Sequence, residues 1–174
     1  MSDEFVIANF KHVADGLQQG QFSVGERQPA TSLADLDPLY RDLLDRPIPM
    51  TLAVIGPDGR PGLTPMWFDY EDDKILVNTA SHRAKCNWIR KNPQLTALIV
   101  NPDNPYHWVS IKCTVVHEVL EDGPDGARVT QQLDRIWSKY TGSDPPYGLR
   151  DPEIDEKRVL FECKIDRVAT FGKP

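Results

Sequence analysis

The chain has 174 residues, of which 40% are hydrophobic, so its length and composition suit one domain with a buried core. Its formal net charge of -6 argues against a nucleic-acid-binding surface, which needs a broad basic field. Cys86, Cys113 and Cys163 are odd in number and far apart, which excludes a disulfide framework and favours a cytoplasmic setting. With no signal-like start and no long apolar run, we expect a soluble protein that does not enter a membrane.

The first 30 residues carry the weakest pattern in the chain. Their apolar residues predict only a weak amphipathic segment, made of Phe5, Ile7, Phe10, Val13 and Leu17. The Gly- and Gln-rich stretch that follows indicates a mobile connection. We therefore expect residues 1–30 to form an arm that packs on the domain or on a partner subunit, and residues 31–174 to form the domain.

Residues 31–46 predict a helix, because apolar residues recur there at helical spacing: Leu36, Leu39, Tyr40, Leu43 and Leu44. Asp37 and Pro38 suit the N-cap and the first helical position, and two prolines follow the last turn. Apolar periodicity is mainly a packing signal. We therefore interpret this segment as a helix that closes one end of the core.

From Met50 onward the pattern changes to that of strands. Strands are predicted at residues 51–55, 63–70, 74–78, 95–100, 108–119 and 159–168, with further helices before Pro93 and at residues 127–140. Pro65 cannot donate to a strand ladder, so it marks an edge, a bulge or a place where the backbone faces a ligand. About six strands, mostly in antiparallel hairpins, and three helices predict a mainly β (α+β) fold, a small closed or partly closed barrel with flanking helices.

The segment 78–93, NTASHRAKCNWIRKNP, carries the main functional signal. If Ser81 is the N-cap, then His82, Arg83 and Lys85 lie in the first helical turn, where basic side chains oppose the helix dipole and cost about a few tenths of a kcal/mol each. A bound anion would explain this arrangement, because free N–H groups with Arg and Lys beside them form a phosphate site. A solvated basic helix is the alternative, and the spacing alone does not decide between the two.

Other signatures of catalysis are weak. His107, Cys113 and His117 are close in sequence, but no second pair at ligand spacing supports them, so no metal site is predicted. A lowered thiol pKa is conceivable for Cys86 in the basic helix, although packing of that helix on the barrel is the simpler explanation. No nucleophile motif, carboxylate pair or glycine-rich phosphate loop is found, so the catalytic residues are unassigned. An anion site in an apolar barrel suits a reaction carried by a bound cofactor.

Several short motifs occur together in a specific order: GPDGRP, TPMWF, NTA before RAK, a helix that ends in NP, and NPDNPYHWV. In this order and spacing they resemble the flavin- and deazaflavin-binding split β-barrels related to pyridoxamine 5'-phosphate oxidase. The resemblance covers roughly residues 50–118, and the terminal strand RVLFECKIDRVATFG extends it. It implies a six-stranded antiparallel split barrel of the FMN-binding type, with the cofactor in a groove at a homodimer interface.

The resemblance also implies roles for particular residues. Arg83 and Lys85 match the residues that hold the cofactor phosphate. The partner subunit would contribute the turn around Trp108, where His107 stands in place of the arginine more usual in the family. The residues marked as cofactor-binding in this way are Thr64, Pro65, Met66, Trp67, Thr79, Ser81, Arg83, Lys85, His107 and Trp108.

Three functions follow as hypotheses. TPMWF and RAK look closest to the branch of the family that uses the deazaflavin coenzyme F-420, with FMN as the alternative cofactor. The first hypothesis is therefore an oxidoreductase that transfers a hydride to or from a small conjugated substrate. The ending FGKP lacks the Arg-Leu-x-Pro of true pyridoxamine phosphate oxidases, which argues against vitamin B6 oxidation. The second is a flavin or deazaflavin carrier without turnover. The third is a haem- or tetrapyrrole-binding stress protein, supported only by His107 and His117.

Overall fold

A computed structural model describes residues 4–10, 24–71, 73–151 and 153–174. The strands in these ranges are β1 (Phe5–Phe10), β2 (Val24–Ala30), β3 (Met50–Ile55), β4 (Pro61–Met66), β5 (Asp69–Glu71), β6 (Lys74–Ala80), β7 (Gln94–Val100), β8 (Trp108–Leu120) and β9 (Arg158–Phe171). The α-helices are α1 (Pro38–Asp45), α2 (Ala84–Lys91) and α3 (Gly126–Thr141). The predicted mainly β fold with flanking helices is confirmed.

The described part of the chain has nine strands rather than six. Two of the additional strands lie at the N-terminus, where the residues of the predicted amphipathic segment that the structure describes form β1. The stretch 24–30, predicted to belong to a mobile connection, is β2 and pairs with β1. Val13 and Leu17 lie outside the described residues. The third additional strand arises because the predicted strand 63–70 is interrupted.

The interruption separates β4 from β5 at Trp67 and Phe68. Phe68 is fully buried, and its backbone N–H donates to the hydroxyl of Tyr140 in α3, at 3.3 Å, instead of to another strand. That hydroxyl in turn donates to the carbonyl of Ile48 at 2.9 Å. The side chain of Tyr140 therefore holds the break in place from a distant part of the sequence.

The nine strands form one sheet in the order β2-β1-β9-β8-β7-β3-β4, with β6 and β5 off this path. Along one edge β9 pairs with β8. Along its other edge it pairs first with β6, over residues 158–164, and then in parallel with β1, over residues 167–171. Two register shifts interrupt the β8–β9 pairing. Strand β4 lies at an edge of the sheet, so an edge position, the first of the three alternatives for Pro65, is what the structure shows.

The helix predicted at residues 31–46 begins later than expected. Asp37 is the N-cap and Pro38 the first helical residue, as predicted, and Asp37 Oδ1 accepts a hydrogen bond from the Leu39 amide at 2.9 Å. The preceding residues are not α-helical, because Ser32 and Asp35 close a capping box around a separate 3-10 turn. The apolar face of α1, including Leu43 and Leu44, packs into the main core, which agrees with its predicted structural role.

Alternating residues of β6 and β9 face two different sides. Val77 and Phe161 point into the main core, whereas Leu76 and Leu160 form a second, smaller cluster with Val129 of α3. By the two-residue period of strands, Asn78 and Arg158 share the side of Leu76 and Leu160. Polar residues at the ends of β6 and β9 are thereby brought next to α3. No helix in the described ranges has the length and apolar character that crossing a membrane requires.

Gly172 closes the C-terminal end of the sheet and provides a test of the packing there. Its φ is 76°, and a Cβ at this position would lie 1.7 Å from the carbonyl oxygen of Tyr106. Gly59 has a similar φ of 78° but nothing within 4 Å of its Cβ position. We expect Gly59→Ala to lower the free energy of unfolding by about 1–2 kcal/mol through backbone strain alone. Gly172→Ala should cost clearly more, because Tyr106 must also move.

Urea denaturation of both variants measures this difference. Equal losses would mean that the C-terminal end moves aside freely and that the close approach to Tyr106 contributes little to stability.

Candidate functional site

A cavity of about 250 Å³ lies where β4, β6 and β9 approach α3. Its lining combines polar and charged side chains with apolar and aromatic ones. The lining residues are Pro65, Met66, Trp67, Asn78, Thr79, Arg83, Ile136, Tyr147, Leu149 and Arg158. Five of the ten residues predicted to bind a cofactor are among them: Pro65, Met66, Trp67, Thr79 and Arg83.

The polar end follows from the register between β6 and β9. The last residue of β6, Ala80, lies opposite the first residue of β9, Arg158. Asn78 joins the elements around it: its Oδ1 accepts from Arg158 Nε at 3.0 Å, and its Nδ2 donates to the Val129 carbonyl of α3 at 3.1 Å. Arg83 comes just after the end of β6 and completes this end of the cavity.

The basic helix α2 begins two residues later than the sequence indicated. Ser81 is not its N-cap, because the Ser81 amide donates to the Lys157 carbonyl at 2.9 Å and the chain makes a turn before entering the helix. Arg83 is the N-cap and supplies no side-chain capping hydrogen bond. The first amides of the helix therefore keep their donor capacity and the positive end of the helix dipole beside the cavity.

Three cations lie close together at this end. Burial lowers the pKa of Lys85, and the charges of Arg83 and Arg158 lower it further. Within the described part of the chain, neither Arg83 nor Lys85 has an ion pair. Like charges that are left unbalanced are unfavourable in the free protein, and a bound anion would relieve the repulsion.

Thr79 carries a buried hydroxyl that has no partner among the described residues. Thr79 is 2% exposed, it lines the cavity, and its buried Oγ1 has no hydrogen-bond partner among the described residues. A buried hydroxyl without a partner costs about 1–3 kcal/mol. By the two-residue period of strands, the Thr79 side chain shares the main-core side with Val77 and with its pairing partner Val159, so the fit of the cavity to the phosphate of a flavin-like cofactor rests on the nearby cations and not on this hydroxyl.

The opposite end of the cavity is aromatic. The indole of Trp67 stacks on Tyr140, with ring centroids 5.0 Å apart and an angle of 9° between the planes. Trp137 lies 6.4 Å from Trp67, and Tyr147 packs edge-on against Trp137 at 5.7 Å. These contacts fix an apolar wall next to the backbone of Pro65, which suits the planar ring system of a cofactor.

The loop 142–157 forms part of this wall and is firmly attached to α3. The indole N–H of Trp137 donates to the Asp144 carbonyl at 3.1 Å, and the Tyr147 amide donates to Asp134 Oδ1 at 2.8 Å. Arg150 pairs with Glu121 and donates to the Glu156 carbonyl at 2.9 Å. The loop therefore presents Tyr147 and Leu149 to the cavity in a defined position.

The other predicted cofactor-binding residues lie outside the cavity lining. Thr64 is exposed on the edge strand β4, and Ser81 lies in the turn before α2. Lys85 does not line the cavity, although it lies within electrostatic reach of Arg83 and Arg158. Trp108 stacks on Phe171, with centroids 5.7 Å apart.

His107 is placed differently from the expectation that it contacts a cofactor across a dimer. It is 1% exposed, its Nδ1 lies 3.1 Å from Asn101 Nδ2, and its ring packs against Tyr40. Burial lowers its pKa. His107 therefore stabilises the turn that contains it, whereas the neighbouring Tyr106 is 66% exposed.

Five lining residues were missed by the sequence reasoning: Asn78, Ile136, Tyr147, Leu149 and Arg158. Asn78 and Arg158 lie within motifs that carry the family resemblance, and their polar side chains in otherwise buried strands were the available signal. Tyr147 and Leu149 lie in a proline-rich loop without periodicity. Nothing in the sequence pattern places that loop against α3.

Packing, and not reactivity, explains Cys86. Its side chain is fully buried and its Sγ donates to the Ala80 carbonyl at 3.3 Å. Burial raises the thiol pKa, against the lowering effect of Arg90 and Lys85, so the suggested low pKa is wrong. Among the residues described, no group of three His, Cys, Asp or Glu side chains is arranged to hold a metal ion.

A family model described as pyridoxamine 5'-phosphate oxidase matches residues 36–172. The chain belongs to this family. The match spans α1 to the end of β9, and with the solved structures below it confirms the split-barrel type of the fold. No curated protein matches the sequence.

Solved structures of the same fold differ in what they are described as doing. An F420 reductase is 27% identical, covers 76% of this chain and 98% of its own, and has a TM-score of 0.60. A conserved hypothetical protein from Mycobacterium tuberculosis is 25% identical over 75% of this chain and 80% of its own, with a TM-score of 0.54. HutZ, a haem storage protein from Vibrio cholerae, is similar in fold at 11% identity, covering 76% and 92%, with a TM-score of 0.55.

The Thr79 hydroxyl, which has no hydrogen-bond partner among the described residues, should lower the stability of the cofactor-free protein. Thr79→Val removes a buried group that has no partner, so the free energy of unfolding of the cofactor-free protein should rise by about 1 kcal/mol. Thr170 is a matched control, since it is also fully buried but donates from Oγ1 to Asn9 Oδ1 at 2.5 Å. Thr170→Val should lower the free energy of unfolding by about 1 kcal/mol.

Chemical denaturation of both valine variants measures whether the free energy of unfolding rises or falls in each. Destabilisation by Thr79→Val as large as that by Thr170→Val would show that the Thr79 hydroxyl is satisfied within the protein.

Proposed function

We propose that this protein is an oxidoreductase that binds coenzyme F-420, or alternatively FMN, and transfers a hydride between its ring and a small conjugated organic substrate. The observation that carries the proposal is the cavity with two unlike ends. Arg83 lines the cavity and Lys85 lies within electrostatic reach of it, and we assign these two cations to an anion site. At the other end Pro65 and Trp67 begin an apolar wall of the size and shape for a ring system.

Each group in the chain has a role in this proposal. Arg83 holds the phosphate by charge-assisted hydrogen bonds, and Lys85, which lies outside the cavity lining, adds its positive charge from nearby. The edge strand β4 supports the ring through its backbone around Pro65. Because proline has no backbone N–H, Pro65 cannot donate to a further strand at this place. Trp67, fixed by Tyr140, covers one side and keeps water away from the reacting face. The bound cofactor would supply the hydride chemistry itself.

The likeness to an F420 reductase at 27% identity supports F-420 as the first choice. FMN would also place an anionic group and a planar ring in the same cavity, so it stays the alternative. The ending FGKP keeps vitamin B6 oxidation out of the proposal, although the family takes its name from that reaction.

We further propose that a second copy of the chain completes the groove, as the family resemblance implies. The cavity in one chain, about 250 Å³, is smaller than the roughly 300–1,000 Å³ usual for cofactor sites. Strand β4 borders it and has exposed residues, with Leu63 65% exposed. A partner packed on this edge would cover Leu63 and enlarge the site.

The carrier without turnover stays a second hypothesis, because the lining has few groups able to transfer a proton. Among the cavity-lining residues named above there is no carboxylate, histidine or lysine, and Tyr147 supplies the one phenol. The haem hypothesis has less support. His107 is buried in its own turn, and His117 lies 3.7 Å from Glu162, away from the cavity.

Cofactor titration tests the anion site directly. In the double variant Arg83→Ala with Lys85→Ala, F-420 and FMN should bind at least about a hundredfold more weakly, because charge-assisted contacts contribute about 1.5–3 kcal/mol each. Lys91→Ala is the matched control, since Lys91 is exposed at the other end of the same helix. Isothermal calorimetry of the three proteins gives the affinities, and unchanged binding in the double variant would place the anion elsewhere.

Steady-state oxidation of the reduced cofactor by a panel of conjugated acceptors separates an enzyme from a carrier. Turnover supports the oxidoreductase, whereas tight binding without turnover supports the carrier. If the protein binds neither cofactor, both hypotheses fail.

A further inference from the structure

Arg158 is a charged residue in the lining of the cavity. It is the first residue of β9, and it lies opposite Ala80, immediately before the basic turn that leads to α2. Its backbone N–H donates to Glu121 Oε2 at 2.8 Å, which fixes the start of the strand. Its side chain lies on the α3 side of the sheet and lines the cavity together with Thr79 and Arg83.

The guanidinium of Arg158 is buried but only partly satisfied. Its side chain is 8% exposed. Nε donates to Asn78 Oδ1 at 3.0 Å, and Nη1 donates to Glu156 Oε1 at 2.8 Å. Nη2 makes no hydrogen bond within the described part of the chain. Nη2 is not among the fully buried polar atoms that lack a partner, so it stays accessible and can donate to a ligand in the cavity that Arg158 lines.

The groups around Arg158 hold it in one orientation. Asn78 is itself anchored to α3 through Val129, and the ring of Tyr147 lies beneath the guanidinium, 5.5 Å from Cζ. Glu156, 9% exposed at its side chain, comes from the end of the loop 142–157. The loop therefore supplies both the ring and the carboxylate that position Arg158.

The balance of charge favours an anion at this place. Arg158 acts electrostatically on Lys85, as does Arg83, so the three cations share one region. Glu156 is the one carboxylate paired with any of them among the described residues. A purely structural ion pair would account for Glu156 and Arg158 alone. It would not account for Arg83 and Lys85, two more cations nearby that have no ion pair among the described residues.

We propose that Arg158 is a further phosphate-binding residue, which donates from Nη2 to the cofactor phosphate and is positioned by Asn78 and by Glu156 of the loop. This inference rests on the proposed function for the identity of the ligand. It extends the anion site from the basic helix to β9 and makes its geometry depend on the loop 142–157. The buried Arg158 forms the inner side of the site, and the exposed Arg83 forms the outer side.

The test compares ligands with and without a phosphate. Wild-type protein, Arg158→Met and Arg158→Lys are titrated with F-420, FMN and riboflavin, which is FMN without its phosphate. Arg158→Met should weaken FMN and F-420 binding about ten- to a hundredfold and leave riboflavin binding unchanged. Arg158→Lys should recover part of the loss, because it keeps the charge without the planar fork. Equal weakening of FMN and riboflavin would assign Arg158 a structural role and overturn the proposal.

Two further variants show whether a loss of binding in Arg158→Met comes from disturbed folding. Arg158→Met leaves Glu156 buried without a partner, so the double variant Arg158→Met with Glu156→Gln removes both charges and should show the same selective loss. Arg128→Met is the control, because Arg128 is a partly buried arginine paired with Glu162 outside the cavity. It should bind FMN and riboflavin as the wild type does.

Inorganic phosphate separates this proposal from the proposed function. Millimolar phosphate should raise the melting temperature of the wild type and of Arg128→Met but not that of the double variant. If neither cofactor binds but this phosphate effect persists, the proposed function fails and the role of Arg158 stands. If a cofactor binds equally well to wild type and the double variant, only the role of Arg158 fails. If neither phosphate nor a cofactor has any effect, both are wrong.

Discussion

The arrangement of the whole molecule depends on β9, which pairs with three strands. Along one edge it pairs with β8, and along the other it pairs first with β6 and then with β1. Because β6 takes the first half of that edge, the end of β6 and the beginning of β9 lie side by side. The register places Ala80 opposite Arg158, so the turn into α2 leaves the sheet next to a buried arginine. The cation cluster is thus a consequence of strand pairing.

This cluster is unfavourable for the free protein in several ways. Arg83 occupies an N-cap without capping the helix, and the positive end of the helix dipole opposes its charge. The Thr79 hydroxyl has no partner among the described residues, and Lys85 is partly buried near two arginines. Elsewhere the buried charges are well matched, as in the pairing of Glu162 with Arg128 and Lys74. His107 and Gln132 also have buried polar atoms without a partner, so the feature that points to a ligand site is the group of cations, Arg83 and Lys85 without an ion pair beside the buried Arg158.

From α1 onward, local patterns were enough to predict most of the regular elements. The cap formed by Asp37 and Pro38, the edge position of Pro65 and the buried strand at residues 95–100 depend on neighbours in the sequence. The break at Trp67 was not predictable, because it depends on the hydroxyl of Tyr140, which is 72 residues from Phe68. The start of α2 was misplaced for the same reason, since the carbonyl of Lys157 takes the Ser81 amide. The basic cluster was found from the sequence. Arg158 was missed, because it lies close to that cluster only through the pairing register of β6 and β9.

The inner and outer sides of the anion site give the cavity a direction. Arg158 is buried, whereas Arg83 is exposed, so in the proposed site a phosphate would reach Arg158 by passing Arg83. The aromatic wall built by Trp67, Tyr140 and the loop lies at the other end. A cofactor with its ring against that wall and its phosphate between Arg83 and Arg158 would have both ends fixed. Any chain attached beyond the phosphate would then leave past Arg83 into solvent, which the site permits without a second enclosed pocket.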